Sequence, residues 1–302
     1  MSDSSARSRA VLAEAARRLA AAGIDTPRLD ARVLWEHAFL PLDGGGGECG
    51  EPDGVSTRPQ SASPFDPPIS GEGVDPVVRF ESYVARRCTR EPLAYITGHK
   101  EFWSLDFVVG PGVLVPRPES ETIIEQALAL LPDRSAPLNV LDLGTGSGCL
   151  LVAFLKEFPN ARGLGIDSSE EARRYAAANI ARHGLDARAE LRAGNWADGI
   201  GGRWDVILAN PPYVEPEEML QLSPEVRYEP TDALGGGTDG LDSVRAVASA
   251  MSRLLAGIGL TEIGAGQAAA AGVVMAEAGL VLVRTVADLA GIPRVLVTRP
   301  AG

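Results

Sequence analysis

The sequence predicts an α/β protein: a mostly parallel, seven-stranded sheet with helices on both faces, preceded by a small helical domain and a linking β-hairpin. Three observations carry that expectation. From Pro118 onward, short apolar runs alternate with helical patterns, which means parallel strands with crossover helices. A glycine-rich turn joins the first of those runs to a helix. Residues 1–90, by contrast, show helical spacing only, broken by one Gly/Pro/Ser-rich stretch.

Taken in order, Ser4 to Ala22 repeats Ala, Leu and Arg at helical spacing, and Gly23 is placed to end that helix. Thr26-Pro27 offers an N-cap followed by proline at the first helical position, opening a second helix through Phe39. Between Asp43 and Asp75, 17 of 33 residues are Gly, Pro or Ser. Such a segment buries too little apolar surface to offset its ordering entropy, so a disordered insertion is expected over 43–75. A third helix follows from Pro76 to Thr89 and completes the helical domain, 1–90. Residues 91–118 read as a linker in which Glu101 to Val109, rich in Phe, Trp and Val, forms a hairpin.

The sheet domain spans 119–302. Its helix Glu119 to Leu131 precedes the strand Asn139 to Leu143. The glycine turn and a helix (Cys149 to Phe158) lead to the strand Gly163 to Asp167. A helix (Glu170 to His183) and the strands Ala189 to Ala193 and Trp204 to Ala209 come next. The late elements are a helix (Ser243 to Ala256), a strand (Leu260 to Ile263), a helix (Ala268 to Ala278), and strands at Leu280 to Arg284 and Arg294 to Thr298.

Composition narrows the chemistry. No apolar run reaches the roughly 18 residues that span a bilayer, and the first ten residues are polar, so no membrane association is expected and a cytoplasmic location is. Cys49, Cys88 and Cys149 lie far apart, as do the three histidines; neither a disulfide framework nor a metal site is expected. Net charge is −12, against broad nucleic-acid binding. Seven acids and one arginine between Asp43 and Asp75 supply −6 of it. The basic cluster Arg79, Arg86, Arg87 and Arg90 reads as a solvated helix face or as a docking surface.

Two motifs carry function. In Leu141-Asp-Leu-Gly-Thr-Gly-Ser-Gly148, glycines at 144, 146 and 148 permit a tight turn with close backbone approach to a ligand, and the following helix presents free N–H groups. Asp167 ends the second strand 19 residues beyond Gly148, where a doubly wound fold places the acid that accepts from ribose hydroxyls. The spacing is GxGxG, not the GxGxxG of dinucleotide binders, and no GxxxxGK[ST] occurs. The second motif is Asn210-Pro-Pro-Tyr213, after the fourth strand. Its prolines make the loop rigid and short of N–H donors. What remains are fixed acceptors, the Asn210 side-chain oxygen and the Pro211 carbonyl, able to hold both hydrogens of a planar NH₂ group. Tyr213 offers a flat face. Catalysis there would be positioning plus electrostatics, without a general base.

Residues 139–167 resemble the first half of the class I S-adenosylmethionine-dependent methyltransferase fold, a Rossmann-like sheet. The chain as a whole resembles the release-factor glutamine methyltransferase family (PrmC/HemK type). Beyond Asn210 to Tyr213, the resemblance rests on Arg90-Glu-Pro-Leu-Ala-Tyr-Ile-Thr-Gly98, Phe102-Trp103 and Val115-Pro-Arg-Pro-Glu119. It extends to Leu222-Ser-Pro-Glu-Val-Arg-Tyr-Glu-Pro230, Ala233-Leu-Gly-Gly-Gly237 and Asp239-Gly-Leu-Asp242. It covers roughly residues 76–298.

The resemblance implies that Gly144, Thr145, Gly146, Ser147, Gly148 and Asp167 hold S-adenosyl-L-methionine with Trp196 beside its adenine. It implies that Asn210 touches methyl donor and acceptor, and that Asn210, Pro211, Pro212 and Tyr213 grip the substrate. That substrate would be the glutamine of the GGQ loop of class 1 peptide chain release factors, and the coproduct S-adenosyl-L-homocysteine. No metal, no stable nucleic-acid complex and a monomer are expected. Asn195 stands where the family commonly has Asp, and the stretch Leu255 to Glu262 is about two residues short, which predicts a shortened central strand. Arg227 and Glu229 read as a lid over the acceptor or as an exposed ion pair. Trp103 and Phe102 read as interdomain packing, and Cys149 as a small buried residue. Two other readings share these motifs: a nucleic-acid base methyltransferase, which would need a basic groove, and a non-catalytic S-adenosylmethionine-binding module.

Overall fold

The computed structural model describes residues 2–40 and 75–301; the expected disordered insertion, apart from Asp75, lies outside them. The chain forms two compact units divided between Gly98 and His99.

The first unit holds α1 (Ser2–Ala21), α2 (Pro27–Ala38), α3 (Pro76–Cys88) and the short α4 (Leu93–Thr97). Ala15 and Leu19 of α1, Leu34 of α2, Phe80 and Val84 of α3 and Ile96 of α4 share one core, with Trp35 edge-on to Phe80 at 5.0 Å. Helix α1 stops because Gly23 turns left-handed (φ +77°), which lets Gly23 N donate to Ala20 O and Ile24 N to Leu19 O. Asp75 caps α3 by accepting from Val77 N at 2.8 Å.

Thr26 does not cap α2. Its hydroxyl instead donates to Asp30 Oδ1 at 2.7 Å, because Asp30 is buried and its other oxygen is held by Arg87 Nε at 2.8 Å. The basic cluster is therefore neither a solvated face nor free for docking. Arg87 also donates to Glu91 O, Arg86 to the Glu91 carboxylate, Arg90 to the Ala22 and Gly23 carbonyls, and Arg79 to Leu40 O. Asp30→Ala, which strands a guanidinium that is 7% exposed, is expected to destabilise this unit by about 3–5 kcal/mol in urea unfolding. A loss under about 1 kcal/mol would show that the pair does not hold the bundle.

In the second unit, β1 (His99–Phe102) and β2 (Leu105–Val108) form an antiparallel hairpin. Its two-residue turn, Trp103-Ser104, has both residues at positive φ (55° and 57°), the geometry that matches strand twist but usually needs Gly or Asn. Side chains hold it there: Glu121 accepts from Trp103 N, Glu101 from Ser104 N, and Glu157 from the Trp103 indole. Phe102 packs edge-on to Phe107. These contacts of Phe102 and Trp103 all lie inside this unit.

After a single turn of tight helix (Pro118–Ser120) come α5 (Glu121–Leu130), β3 (Asn139–Leu143), α6 (Cys149–Glu157), β4 (Arg162–Asp167), α7 (Glu170–Arg182), β5 (Ala189–Ala193), β6 (Trp204–Ala209), α8 (Pro216–Met219), α9 (Asp242–Leu254), β7 (Leu255–Glu262), α10 (Ala268–Glu277), β8 (Leu280–Ala287) and β9 (Pro293–Pro300). The sheet order is β5-β4-β3-β6-β7-β9-β8, parallel except that β9 runs antiparallel to β7 and β8. Connections from β3 run one way across the sheet and those from β6 the other. Right-handed crossovers then place α6 and α7, with α5 beside them, on one face, and α9 and α10 on the opposite face. No described helix is long and apolar enough to cross a membrane.

The strand expected to be short is not. β7 has eight residues and follows α9 with no turn between them, since α9 ends at Leu254 and β7 begins at Leu255. The abrupt entry shifts the register against β6 between Trp204 and Val206. Gly257 is needed there, because a Cβ would stand 2.3 Å from Asp205 O.

Candidate active site

Between β3 and β6 the strand order reverses, opening a crevice at their carboxyl ends. The turn after β3 is the glycine segment, and the loop after β6 begins at Asn210. Both line one cavity of about 640 Å³, the size of a small-molecule site. Gly144, Gly146 and Gly148 all have positive φ (72°, 56° and 80°), a backbone conformation that favours glycine. Gly144 N and Thr145 N both donate to Ile166 O at 2.9 Å, binding the turn to β4.

Of the expected residues, Gly144, Thr145, Gly146, Ser147, Asp167, Trp196, Asn210 and Pro212 line the cavity; Gly148, Pro211 and Tyr213 stand outside the lining. Asp167 also braces the turn. Its Oδ2 accepts from Gly146 N at 2.8 Å and its Oδ1 from Ser169 N at 2.9 Å, which locks the turn to the end of β4. Each oxygen keeps lone-pair capacity for a ribose hydroxyl. Trp196 sits left-handed (φ 54°), and its ring lies 3.8 Å from where a Cβ on Gly144 would stand.

Beneath the turn, Asp142 is fully buried. Its Oδ2 accepts from the Thr145 hydroxyl at 2.6 Å, its Oδ1 has no partner, and burial pushes its carboxyl up to about 7. Cys149 is pushed up to about 12, chiefly by burial, and stays a thiol.

The 210–213 loop is pinned from behind. Asn210 Nδ2 donates to Ser120 Oγ at 3.0 Å, and Ser120 Oγ donates to Glu262 Oε2 at 2.5 Å. Tyr213 OH donates to Glu262 Oε1 at 3.4 Å. The ring's polar end is thus turned towards β7, and burial raises its phenol well above the usual range. Gln267 donates to Tyr213 O, and Val214 bonds with Leu234 and Gly236.

Glu229 is buried and pairs with Arg117, also accepting from Val115 N at 2.9 Å. Arg227 binds the Leu220 and Leu222 carbonyls instead. The expected Arg227–Glu229 pair does not form. The salt link from Glu229 ties the segment carrying Pro230, Asp232 and Ala233 to Arg117, and all four of these residues line the cavity.

Sequence reading missed Ser120, Glu262, Asp142 and Asn179. Asn179 of α7 exchanges hydrogen bonds with Val108 and donates to Ser147 O, tying hairpin to glycine turn. No group of three or more His, Cys, Asp or Glu among the described residues could hold a metal ion.

Comparison with known proteins gives a consistent picture. The family model "Methyltransferase small domain" matches residues 124–225, and "PrmC N-terminal domain" matches 10–39 and 74–98. A release factor glutamine methyltransferase from Rhodospirillum rubrum is 40% identical over 285 residues, covering 93% of this chain and 82% of that protein. One from Cereibacter sphaeroides is 41% identical, covering 93% and 94%. Among solved structures, the hMettl16 catalytic domain in complex with the MAT2A 3'UTR hairpin 6 superposes with a TM-score of 0.54 at 13% identity, over 73% of this chain and 82% of that one. That likeness is one of fold, the class I methyltransferase fold.

Proposed function

The chain belongs to the release factor glutamine methyltransferase family, and we infer that it transfers a methyl group from S-adenosyl-L-methionine to the side-chain amide nitrogen (N5) of the glutamine in the GGQ loop of class 1 release factors. The observation that carries the reading is the shared cavity: the Asn210 amide and the glycine turn face the same space.

The residues present suit the donor. A turn with glycine at 144 and 146 lets a ligand approach its backbone closely, Asp167 offers carboxylate oxygens to a ribose, and Trp196 offers a flat apolar face to an adenine. Asn195 supplies an uncharged amide where the family commonly has an acid. When bound, S-adenosyl-L-methionine supplies a methyl group made electrophilic by its sulfonium. The protein's task is then to hold the acceptor nitrogen. With its Nδ2 committed to Ser120, Asn210 has Oδ1 left to accept from the glutamine NH₂. Held by one hydrogen, the nitrogen can turn its lone pair towards the methyl group. As the N–C bond forms the methyl–sulfur bond breaks, and the N-methylated amide, strongly acidic while it carries the extra proton, gives that proton to water. Expulsion of water by the loop of Pro230, Asp232 and Ala233 strengthens these contacts.

A nucleic-acid base acceptor is less well supported. The net charge is −12 and the cavity carries Asp167 and Asp232, a poor match for phosphates. We propose that the protein acts on translation-termination factors in the cytoplasm, as a monomer and without a metal. The test is incubation with methyl-labelled S-adenosyl-L-methionine and, separately, a release factor, its GGQ-to-GGA variant, and RNA or DNA. Label is expected on the release factor alone; label on nucleic acid, or equal label on the GGA variant, refutes the reading.

A further inference from the structure

Ser120 stands, 2% exposed, between Asn210 and Glu262. A serine hydroxyl has one hydrogen and two lone pairs. Its hydrogen goes to Glu262 Oε2, so towards Asn210 it presents lone pairs alone, which only the amide NH₂ can meet. That choice turns Asn210 Oδ1 away from Ser120. Glu262, at the last position of β7 and 1% exposed, fixes the direction because an ionised carboxylate only accepts. Were its acceptor role lost, the serine hydrogen could swing to Asn210. The amide could then turn over and offer N–H groups to an incoming NH₂, donor against donor.

We propose that Ser120 and Glu262 are positioning residues that set which end of the Asn210 amide faces the methyl acceptor, through a hydroxyl–carboxylate relay anchored on strand β7. The proposal rests on the reading that Asn210 Oδ1 holds the glutamine amide. Tyr213 belongs to the same relay, since its hydroxyl supports the far oxygen of Glu262.

The relay carries its own pH signature. Burial, with Glu119 adding repulsion, pushes the Glu262 carboxyl up to about 7, while the Ser120 hydroxyl, Arg294 of β9 and the Tyr213 hydroxyl favour its charge. The neighbouring Cys149 thiol remains neutral. The form that orients Ser120 is the ionised one. Transfer should therefore be fastest above pH 7 and fall as pH drops through that value.

The test uses the full-length enzyme with S-adenosyl-L-methionine and a release factor, measuring single-turnover rate, donor affinity and melting temperature for wild type, Ser120→Ala, Glu262→Ala, Glu262→Gln and the double alanine variant. Loss of one preorganised hydrogen-bonding element predicts rates about 10²-fold lower for each alanine variant. Donor Kd should stay within about threefold, and the double variant should be no slower than the slower single one, as expected of residues acting as a unit. The Glu262→Gln carboxamide, like the protonated acid, can either accept from Ser120 or donate to it; it should show the wild type's low-pH rate at every pH and so abolish the acid limb of the wild-type profile.

Wild-type rate in Ser120→Ala, a parallel fall in donor affinity, or an acid limb retained in Glu262→Gln would overturn the proposal. If the variants fail to fold, a wild-type rate that is flat from pH 8 to pH 6 overturns it equally. Failure here is distinct from failure of the activity itself: an enzyme that labels the glutamine, dies with Asn210→Ala and ignores Ser120→Ala refutes the relay alone.

Discussion

Asn210→Ala is expected to lower the single-turnover rate of methyl transfer by about 10³-fold while leaving the dissociation constant for S-adenosyl-L-methionine within a few-fold of wild type. The substitution deletes an acceptor aimed at the reacting nitrogen and does not touch the glycine turn, whose hydrogen bonds run to Ile166 and Asp167. The backbone cost is small, because the residue before a proline is extended whether it is Asn or Ala. Rapid-quench measurement with saturating donor, beside calorimetry of donor binding, separates the two quantities. Retained turnover would remove Asn210 from the reaction. A donor affinity that falls in step with the rate would make it a binding residue only.

Asp167→Ala should show the reverse pattern. Its carboxylate accepts from Gly146 N and Ser169 N, so its loss leaves two backbone donors unpaired and frees the turn from the end of β4, besides removing the proposed ribose contact. Hydrogen bonds to charged groups contribute about 1.5–3 kcal/mol each. Two of them, about 3–6 kcal/mol together, correspond to a donor affinity weakened by about 10²–10⁴-fold, with the rate at saturating donor falling far less. Titration calorimetry decides the matter; an unchanged donor affinity would show that neither the turn's anchorage nor a ribose contact depends on this side chain.

Both halves of the site were legible in the chain because local chemistry dictates them. Three glycines within five residues announce left-handed backbone, and all three adopt it. Two prolines after Asn210 announce a stiff loop short of donors, and the sheet places it beside the glycines. What faces those motifs from behind could not be read in the same way. Ser120 and Glu262 are 142 residues apart, and nothing in the spacing of either names the other.

The same limit explains the misreadings. Arg227 and Glu229 are neighbours in sequence, yet Glu229 reaches back to Arg117 across 112 residues. Arg79 and Arg87 look like surface cations until Leu40 O and Asp30 are seen to hold them. Thr26 has the form of a cap, but a buried carboxylate four residues on competes for its hydroxyl. The stretch Leu255 to Glu262 looked short of strand because sequence cannot say where a strand begins, and α9 in fact runs directly into β7. Trp103-Ser104 hid the hairpin's tip, since three glutamates do there what glycine usually does.

The central claim is that Asn210 holds a flat NH₂ group beside the glycine turn with its nitrogen facing the donor. A crystal structure of the enzyme with S-adenosyl-L-homocysteine and a peptide carrying the GGQ loop tests it most directly. The account predicts the homocysteine derivative along Gly144 to Ser147, the glutamine NH₂ within hydrogen-bond distance of Asn210 Oδ1, and its nitrogen turned towards the sulfur. A glutamine side chain bound elsewhere, or one whose nitrogen points away from the sulfur while Asn210 makes no contact with it, would contradict the account.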